Sequence, residues 1–126
     1  MNPSLETKTV LVVEDDDATR ALVARRLRRC GMQVTEASSA EEVAVSTAFD
    51  VVIADVHLPG MTGLDLAGAL LAQHPGQPIV LMTGDPGEAL AREALSRGPV
   101  GYLLKPFALE TLEAAVEQAV AKQVPE

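Results

Sequence analysis

The sequence is poor in aromatic residues, cysteine and long apolar runs, and each shortage excludes a class of protein. It has two Phe, one Tyr and no Trp, so a folded core has to be built from aliphatic side chains. Its one cysteine cannot form an internal disulfide, which fits a reducing compartment. No apolar run approaches the roughly 20 residues of a membrane span, and the polar N-terminus lacks the apolar centre of a signal peptide. We therefore expect a cytoplasmic domain that does not enter a membrane.

Basic residues are also scarce, because 10 Lys and Arg stand against 18 Asp and Glu. The resulting net charge of −8 would repel phosphates, so we expect no direct binding of nucleic acid by this domain. Apolar residues make up 48% of the 126 residues, which argues against disorder and is enough for one domain with its own core.

Short apolar segments alternate with amphipathic ones along the whole chain. The predicted strands are 9–13, 33–37, 51–55, 79–82 and 101–104. The predicted helices are 18–30, one that starts at residue 38 or 39, 64–73, 86–97 and 108–123. Right-handed connections between such strands give a parallel sheet with helices on both faces. The second strand is half polar, which predicts a position at the edge of the sheet.

The helix starts carry polar capping residues. Asp16 or Asp17 would cap the first helix, and Ser38 or Ser39 would cap the second. The second helix would turn three side chains inward: Val43, Ala44 and Ala48.

Polar side chains follow the apolar strands at the point where each strand ends. Because the carboxyl ends of parallel strands meet at one edge of a sheet, this edge should collect Glu14, Asp15, Asp55, Thr83 and Lys105. Three carboxylates in one crevice repel one another and raise each other's pKa, and a divalent cation relieves that repulsion. Oxygen ligands favour a hard ion, with Mg²⁺ the usual choice beside a phosphate. An aspartate with a metal, an ammonium and a hydroxyl nearby is suited to accept a phosphoryl group.

Four motifs in order make the chain resemble the receiver domain of two-component response regulators. They are Val-Val-Glu-Asp-Asp at 12–16 with Arg20, Asp55 followed by Leu-Pro-Gly-Met-Thr-Gly at 58–63, Met-Thr-Gly at 82–84, and Gly-Tyr-Leu-Leu-Lys-Pro-Phe at 101–107. The resemblance covers roughly residues 9–120. It implies a flavodoxin-like (βα)5 fold, with a five-stranded parallel sheet in the order 2-1-3-4-5. We expect a flexible lead over residues 1–8, the domain over 9–123, and a tail or linker start over 124–126.

The resemblance also implies the roles of the site residues. Asp55 would be the phosphoacceptor, and Glu14 and Asp15 would be the acids of the metal site together with Asp55. The backbone carbonyl of His57 would be a further ligand to Mg²⁺, with Mn²⁺ as an alternative ion. Glu14 stands where many relatives have Asp, but Glu is common at this position in the family.

A second set of residues would transmit the signal. The resemblance implies that Thr83 and Tyr102 form a switch pair and that Lys105 contacts the phosphate before a cis Lys105–Pro106 bond. Phosphorylation would then change the face made by the fourth predicted helix, the fifth strand and the fifth helix. His57 and Asp85 occupy positions that tune how water reaches the acyl phosphate in this family.

The implied function is signalling rather than turnover of a substrate. The phosphoryl donor would be a histidine kinase or a histidine phosphotransfer protein, and the target would be a downstream protein or a fused output domain. A homodimer through the switching face is a further expectation.

Two other functions are compatible with parts of the sequence. Asp15-Asp16-Asp17-Ala18-Thr19 also fits the nucleophile signature of haloacid-dehalogenase-type phosphatases, with Asp15 as the nucleophile and Asp17 as the acid/base. That interpretation leaves Asp55 and its Pro-Gly loop unexplained. A receiver-like module that binds partners without phosphorylation is the other alternative, and the intact set of site residues argues against it.

A basic run stands out in this acidic chain. Arg25, Arg26, Arg28 and Arg29 are either a solvated helix face or a docking surface for an acidic partner such as a histidine kinase. Cys30, at the end of the same helix, is expected to be a buried packing residue.

Overall fold

The computed structural model describes residues 1–85, 87 and 100–121. Within them, five parallel strands form one sheet in the order β2-β1-β3-β4-β5, which confirms the predicted order and the edge position of the second strand. The strands are β1 Thr9–Val13, β2 Gln33–Ala37, β3 Val51–Asp55, β4 Ile79–Thr83 and β5 Val100–Leu104.

Three α-helices are described. They are α1 Asp17–Arg29, α2 Gly63–Gln73 and α3 Leu109–Ala121. Asp16 caps α1, because its side chain accepts a hydrogen bond from the Thr19 backbone N–H at 2.9 Å. A capping box between Thr62 and Asp65 starts α2. The predicted fourth helix, 86–97, and the predicted tail, 124–126, lie outside the described residues.

The alternation of side chains along the strands gives the sheet two apolar faces. Val10 and Val12 of β1 face a core that α1 and α3 cover, and Leu11 and Val13 face a second core under α2. All five residues of β3 and of β4 are buried, which is typical of central strands in a parallel sheet.

The predicted second helix is wrong. The chain forms a single 3₁₀ turn, Ala40–Glu42, and then runs to β3 without further regular structure. Val43 is half-buried as predicted, whereas Ala44 and Ala48 are exposed.

Two physical features explain why the connection between the 3₁₀ turn and β3 is not a helix. The β-branched side chains of Val43, Val45 and Thr47 lower its helix propensity. In addition, the buried amide of Gln77 donates to the Phe49 carbonyl at 2.9 Å and accepts from the Phe49 N–H at 3.2 Å. These bonds hold the chain in place where it enters β3.

The N-terminal segment, predicted to be a flexible lead, packs against the domain in the structure. Leu5 is 0% exposed and belongs to the core under α1 and α3. The Asn2 N–H donates to the Cys30 carbonyl at 3.1 Å, and the Thr7 N–H donates to the Gly31 carbonyl at 3.0 Å. The segment is therefore part of the folded domain, because one buried leucine and two backbone hydrogen bonds attach it to the end of α1.

None of the helices in the described part of the chain has the length and apolar character that crossing a bilayer requires.

Candidate functional site

Three carboxylates meet at the carboxyl edge of the sheet. Glu14 and Asp15 directly follow β1, and Asp55 is the last residue of β3. Each offers an oxygen within 4.8 Å of the others. Glu14 is 0% exposed and Asp55 is 8% exposed, whereas Asp15 is open to solvent. The topology therefore brings together the three acids that the sequence analysis placed at this edge.

Lys105 connects two of these carboxylates. Its Nζ donates to Glu14 Oε1 at 2.5 Å and to Asp55 Oδ2 at 2.8 Å. The lysine directly follows β5, and its backbone N–H donates to the Thr83 carbonyl at 2.7 Å. The Lys105–Pro106 peptide bond is cis. The ammonium thus lies between Glu14 and Asp55, where a positive charge is needed most.

The two buried carboxylates respond differently to this environment. Burial raises the pKa of Glu14, and the negative charge of Asp55 raises it further against the hydrogen bond from Lys105. Burial also acts to raise the pKa of Asp55, but hydrogen bonds from Lys105 and the His57 N–H lower it below its ordinary value. The pKa of Lys105 is raised, since its bonds to both acids outweigh its burial. The ionised form is therefore favoured at Asp55 and disfavoured at Glu14.

The loop after β3 holds Asp55 from the opposite side. The His57 N–H donates to Asp55 Oδ1 at 3.0 Å, while the His57 side chain is exposed. Gly63 packs so closely that a Cβ there would lie 2.1 Å from the Asp55 carbonyl oxygen. Any larger residue at 63 would displace the backbone of Asp55.

Glu41 is a residue of this region that sequence reasoning missed. Its Oε2 accepts a hydrogen bond from the Met61 N–H at 3.1 Å. The same oxygen lies 2.4 Å from where a Cβ on Gly60 would stand, and Gly60 has a φ of +76°. Glu41 reaches this loop from the 3₁₀ turn, so a helix prediction for that segment could not have placed it here.

The predicted switch residues lie on neighbouring strands, Thr83 at the end of β4 and Tyr102 in the middle of β5. Thr83 is 0% exposed, and its Oγ1 accepts a hydrogen bond from the Asp85 N–H at 3.1 Å. Tyr102 lies opposite Leu81 in the β4–β5 pairing and packs, half-buried, against the core under α2. Asp85 is exposed.

Other residues singled out by the sequence have separate partners. Asp17, the acid/base of the phosphatase interpretation, lies outside the carboxylate group and pairs with Arg20 at 2.7 Å. Arg26 of the basic run pairs with Glu113 at 2.9 Å. Cys30 is buried as predicted, and burial raises the pKa of its thiol.

The donor set fits a hard divalent cation. Three carboxylates contribute oxygen atoms close enough to share one ion, and one of the three is open to solvent. The bridging position of Lys105 indicates that the crevice attracts positive charge.

The sequence matches a known family model and several curated proteins. A family model described as the response regulator receiver domain matches residues 10–117. The response regulator protein FleR of Pseudomonas aeruginosa is 37% identical over 119 residues, which cover 92% of this chain and 25% of FleR. The chain spans about a quarter to a third of the length of several curated relatives that it matches.

Solved structures resemble this chain over about nine-tenths of its length. The chemotaxis response regulator CheY4 of Vibrio cholerae has a TM-score of 0.78 and 32% identity, covering 90% of this chain and 98% of that one. The BeF3-activated receiver domain of DrrB has a TM-score of 0.77 and 28% identity, covering 91% of this chain and 98% of that one.

Proposed function

The chain belongs to the response regulator receiver domain family of two-component signalling, and we propose that it accepts a phosphoryl group on Asp55 from a histidine kinase or a histidine phosphotransfer protein. The observation that supports the proposal is the position, burial and charge of Asp55. This carboxylate ends a central strand, is nearly buried, and is kept ionised by Lys105 and the His57 N–H.

The chemistry follows from that state. An ionised oxygen of Asp55 attacks the phosphorus of the donor phosphohistidine, so that an O–P bond forms and the P–N bond breaks. The donor imidazole leaves with the electron pair of the broken bond. The Lys105 ammonium is close enough to Asp55 to contact an oxygen of the transferred group.

The acidic group would hold the metal ion. Glu14, Asp15 and Asp55 would bind Mg²⁺ through carboxylate oxygens together with the backbone carbonyl of His57, and Mn²⁺ is an alternative ion. When bound, Mg²⁺ supplies positive charge that neutralises the phosphoryl oxygens. Asp15 is exposed, so the ion can approach this acid from solvent.

The signal would travel through Thr83 and Tyr102. A phosphoryl group on Asp55 draws the Thr83 hydroxyl and the Lys105 ammonium toward it by charge-assisted hydrogen bonds. Movement of Thr83 leaves space into which the half-buried ring of Tyr102 turns. The surface around β5 and α3 then changes and shifts the population of the active conformation.

The exposed residues near Asp55 would set how long the signal lasts. The side chains of His57 and Asp85 are open to solvent beside the site, so they can influence how water approaches the acyl phosphate. The output would be a downstream protein, a fused output domain or a homodimer through the switching face, with no direct contact to nucleic acid.

Phosphorylation of Asp55 is tested by incubating the protein with acetyl phosphate and Mg²⁺ and mapping the modified residue by mass spectrometry. We expect one phosphoryl group on Asp55, and none on Asp55→Asn. Asp65→Asn serves as the matched control, because Asp65 is an exposed carboxylate of α2 outside the site. Modification of Asp15 instead, or Mg²⁺-independent binding of partners without any modification, would reject the proposal. Beryllofluoride, the activating ligand named for the DrrB structure, provides a second probe of the same site.

A further inference from the structure

We infer that Arg20 is a positioning residue for the metal site, because it fixes the backbone that carries Glu14 and Asp15. This inference rests on the proposed function, since it concerns how the metal-binding acids are held. Arg20 lies in the second turn of α1, and its Nη1 donates to the Glu14 carbonyl oxygen at 2.8 Å.

The segment under Arg20 is short. Residues 14–16 alone connect the end of β1 at Val13 to the start of α1 at Asp17. The Glu14 N–H donates to the Ala37 carbonyl in β2 at 3.0 Å, so the sheet holds one side of this residue. The Glu14 carbonyl lies beyond the strand pairing and is held by Arg20 instead.

The bond to this carbonyl affects both acids. The Glu14 carbonyl belongs to the peptide group that leads directly into Asp15. Rotation of that group would turn the Asp15 side chain, which is exposed and is not held by packing. It would also move Glu14, whose carboxylate shares Lys105 with Asp55. The direction of the two acids therefore depends on the Arg20 bond.

Arg20 is itself held in position. Its Nη2 pairs with Asp17 at 2.7 Å and its Nε lies 3.5 Å from Glu36 of β2. Arg28 pairs with the other oxygen of Glu36 at 3.1 Å. The guanidinium thus uses three nitrogens on three partners, an arrangement that a lysine ammonium cannot reproduce because it lacks the planar fork.

The experiment compares Arg20→Gln, Arg20→Lys and the control Arg28→Gln. Arg28 shares the Glu36 partner but does not contact the Glu14 carbonyl, so its loss removes a similar surface charge without the backbone bond. Mg²⁺ affinity is measured by calorimetry. Exchange of the Asp16 amide hydrogen, which donates to Glu14 Oε2 at 3.4 Å, is measured by NMR in the metal-free protein. Urea unfolding of each variant separates loss of folding from loss of position.

We expect Arg20→Gln to weaken Mg²⁺ binding about 10-fold, in the range typical of residues that orient metal ligands. Arg20→Lys should lose less, about 3-fold, since one ammonium can still reach the carbonyl. Arg28→Gln should stay within about 2-fold of wild type. The Asp16 amide should exchange fastest in Arg20→Gln, because the connection before α1 has lost its bond. Its exchange in Arg20→Lys should lie between that of Arg20→Gln and that of Arg28→Gln.

The results separate this inference from the proposed function. If wild-type protein binds Mg²⁺ and the Arg20 variants bind it equally tightly, the positioning role is wrong and the proposed function stands. If wild-type protein binds no Mg²⁺, the metal part of the proposed function fails, and amide exchange in the metal-free variants still decides the role of Arg20. Equal exchange in all variants overturns the role. An Arg20→Gln variant that does not fold leaves Arg20→Lys to make the same comparison.

Discussion

Two pairs of carboxylates, at different places in the molecule, are each held by nitrogen donors. At the carboxyl edge of the sheet, Lys105 bridges Glu14 and Asp55. Between α1 and α3, the Asn2 amide donates to Glu113 at 2.7 Å and to Glu117 at 2.6 Å. The guanidinium of Arg26 gives a further bond to the second pair.

The two pairs have different roles: the first lies at the proposed phosphorylation site, and the second attaches the N-terminal segment. The first pair is buried, lies at the ends of two strands, and shares one ammonium whose charge a metal ion could partly replace. The second pair is half-buried, lies one turn apart on a single helix, and is satisfied by a neutral amide and an arginine. The second arrangement fastens the N-terminal segment, so its loss should affect stability without affecting the chemistry at Asp55.

The largest expected effect on stability comes from the residue that this attachment buries. Leu5→Ala should lower the free energy of unfolding by about 3 kcal/mol, because it leaves a cavity in the core under α1 and α3. Urea unfolding measures the loss. Mg²⁺-dependent phosphorylation at a temperature where the variant is folded should be unchanged.

A matched leucine tests whether burial causes this effect. Leu22 is 48% exposed, so Leu22→Ala should change stability by less than about 0.5 kcal/mol. If both substitutions have equally small effects, the N-terminal segment is not part of the core.

The next effect concerns the first pair. Lys105→Ala should lower the free energy of unfolding at pH 7 by about 2 kcal/mol, less than for a fully buried pair because the lysine side chain is 27% exposed. Saturating Mg²⁺ should restore part of the loss, since a bound cation stabilises the folded state. Urea unfolding with and without Mg²⁺ measures both changes.

The pH dependence of this variant has a defined sign. The folded-state pKa of Asp55 is lowered, so its ion pair stabilises the protein above the unfolded-state value and is lost as the pH falls through the folded value. The pKa of Lys105 is raised, so its contribution is present below its unfolded value and is lost at alkaline pH. The difference in the free energy of unfolding between wild type and Lys105→Ala should therefore be largest near neutral pH and should shrink as the pH falls. A difference in the free energy of unfolding that does not change with pH would contradict the ion-pair explanation.

The smallest effect concerns the second pair. The Cys30 thiol, the Asn2 amide and Arg26 lower the pKa of Glu113, so its carboxylate stabilises the fold at neutral pH and less so as the pH falls through the lowered value. Glu113→Gln should cost about 0.5–1 kcal/mol at pH 7, because the side chain is partly exposed to screening solvent. The measurement is urea unfolding of both proteins at pH 7 and at pH 3. The difference in the free energy of unfolding between wild type and Glu113→Gln should be smaller at pH 3. Phosphorylation at an unchanged rate would place this pair outside the chemistry.

Sequence patterns were most informative where one local feature decides the structure. The β-branched and aliphatic runs predicted all five strands, and their alternation with helices predicted the parallel sheet. The order of the strands was implied by the resemblance to receiver domains. Asp55 and Lys105 could be located as strand-end residues, because parallel strands place their carboxyl ends at one edge. A Pro-Gly loop after Asp55 and glycine at 63 were readable as turn signals, although the close packing of Gly63 on the Asp55 carbonyl was not.

Patterns were misleading where distant residues compete with local preference. Ser39 before Glu41 and Glu42 resembles a helix start, but the Gln77 amide bonds to Phe49 and holds the connection to β3 in another conformation. The polar residues around Leu5 indicated a free lead, yet one leucine fits the core beside α1 and α3.

The sequence by itself determined the alternation of elements and the edge at which the acids collect, because periodicity and strand-end position are properties of the chain. The order of the strands was implied by the resemblance to a known family. Only the tertiary structure decided which carboxylates share Lys105, that the pKa of Asp55 is lowered while that of Glu14 is raised, and that Arg20 holds the Glu14 carbonyl. Hydrogen bonds and charge interactions act over a few ångströms between residues that are far apart in the chain. Their pairing is therefore set only when the sheet and its helices have brought those residues together.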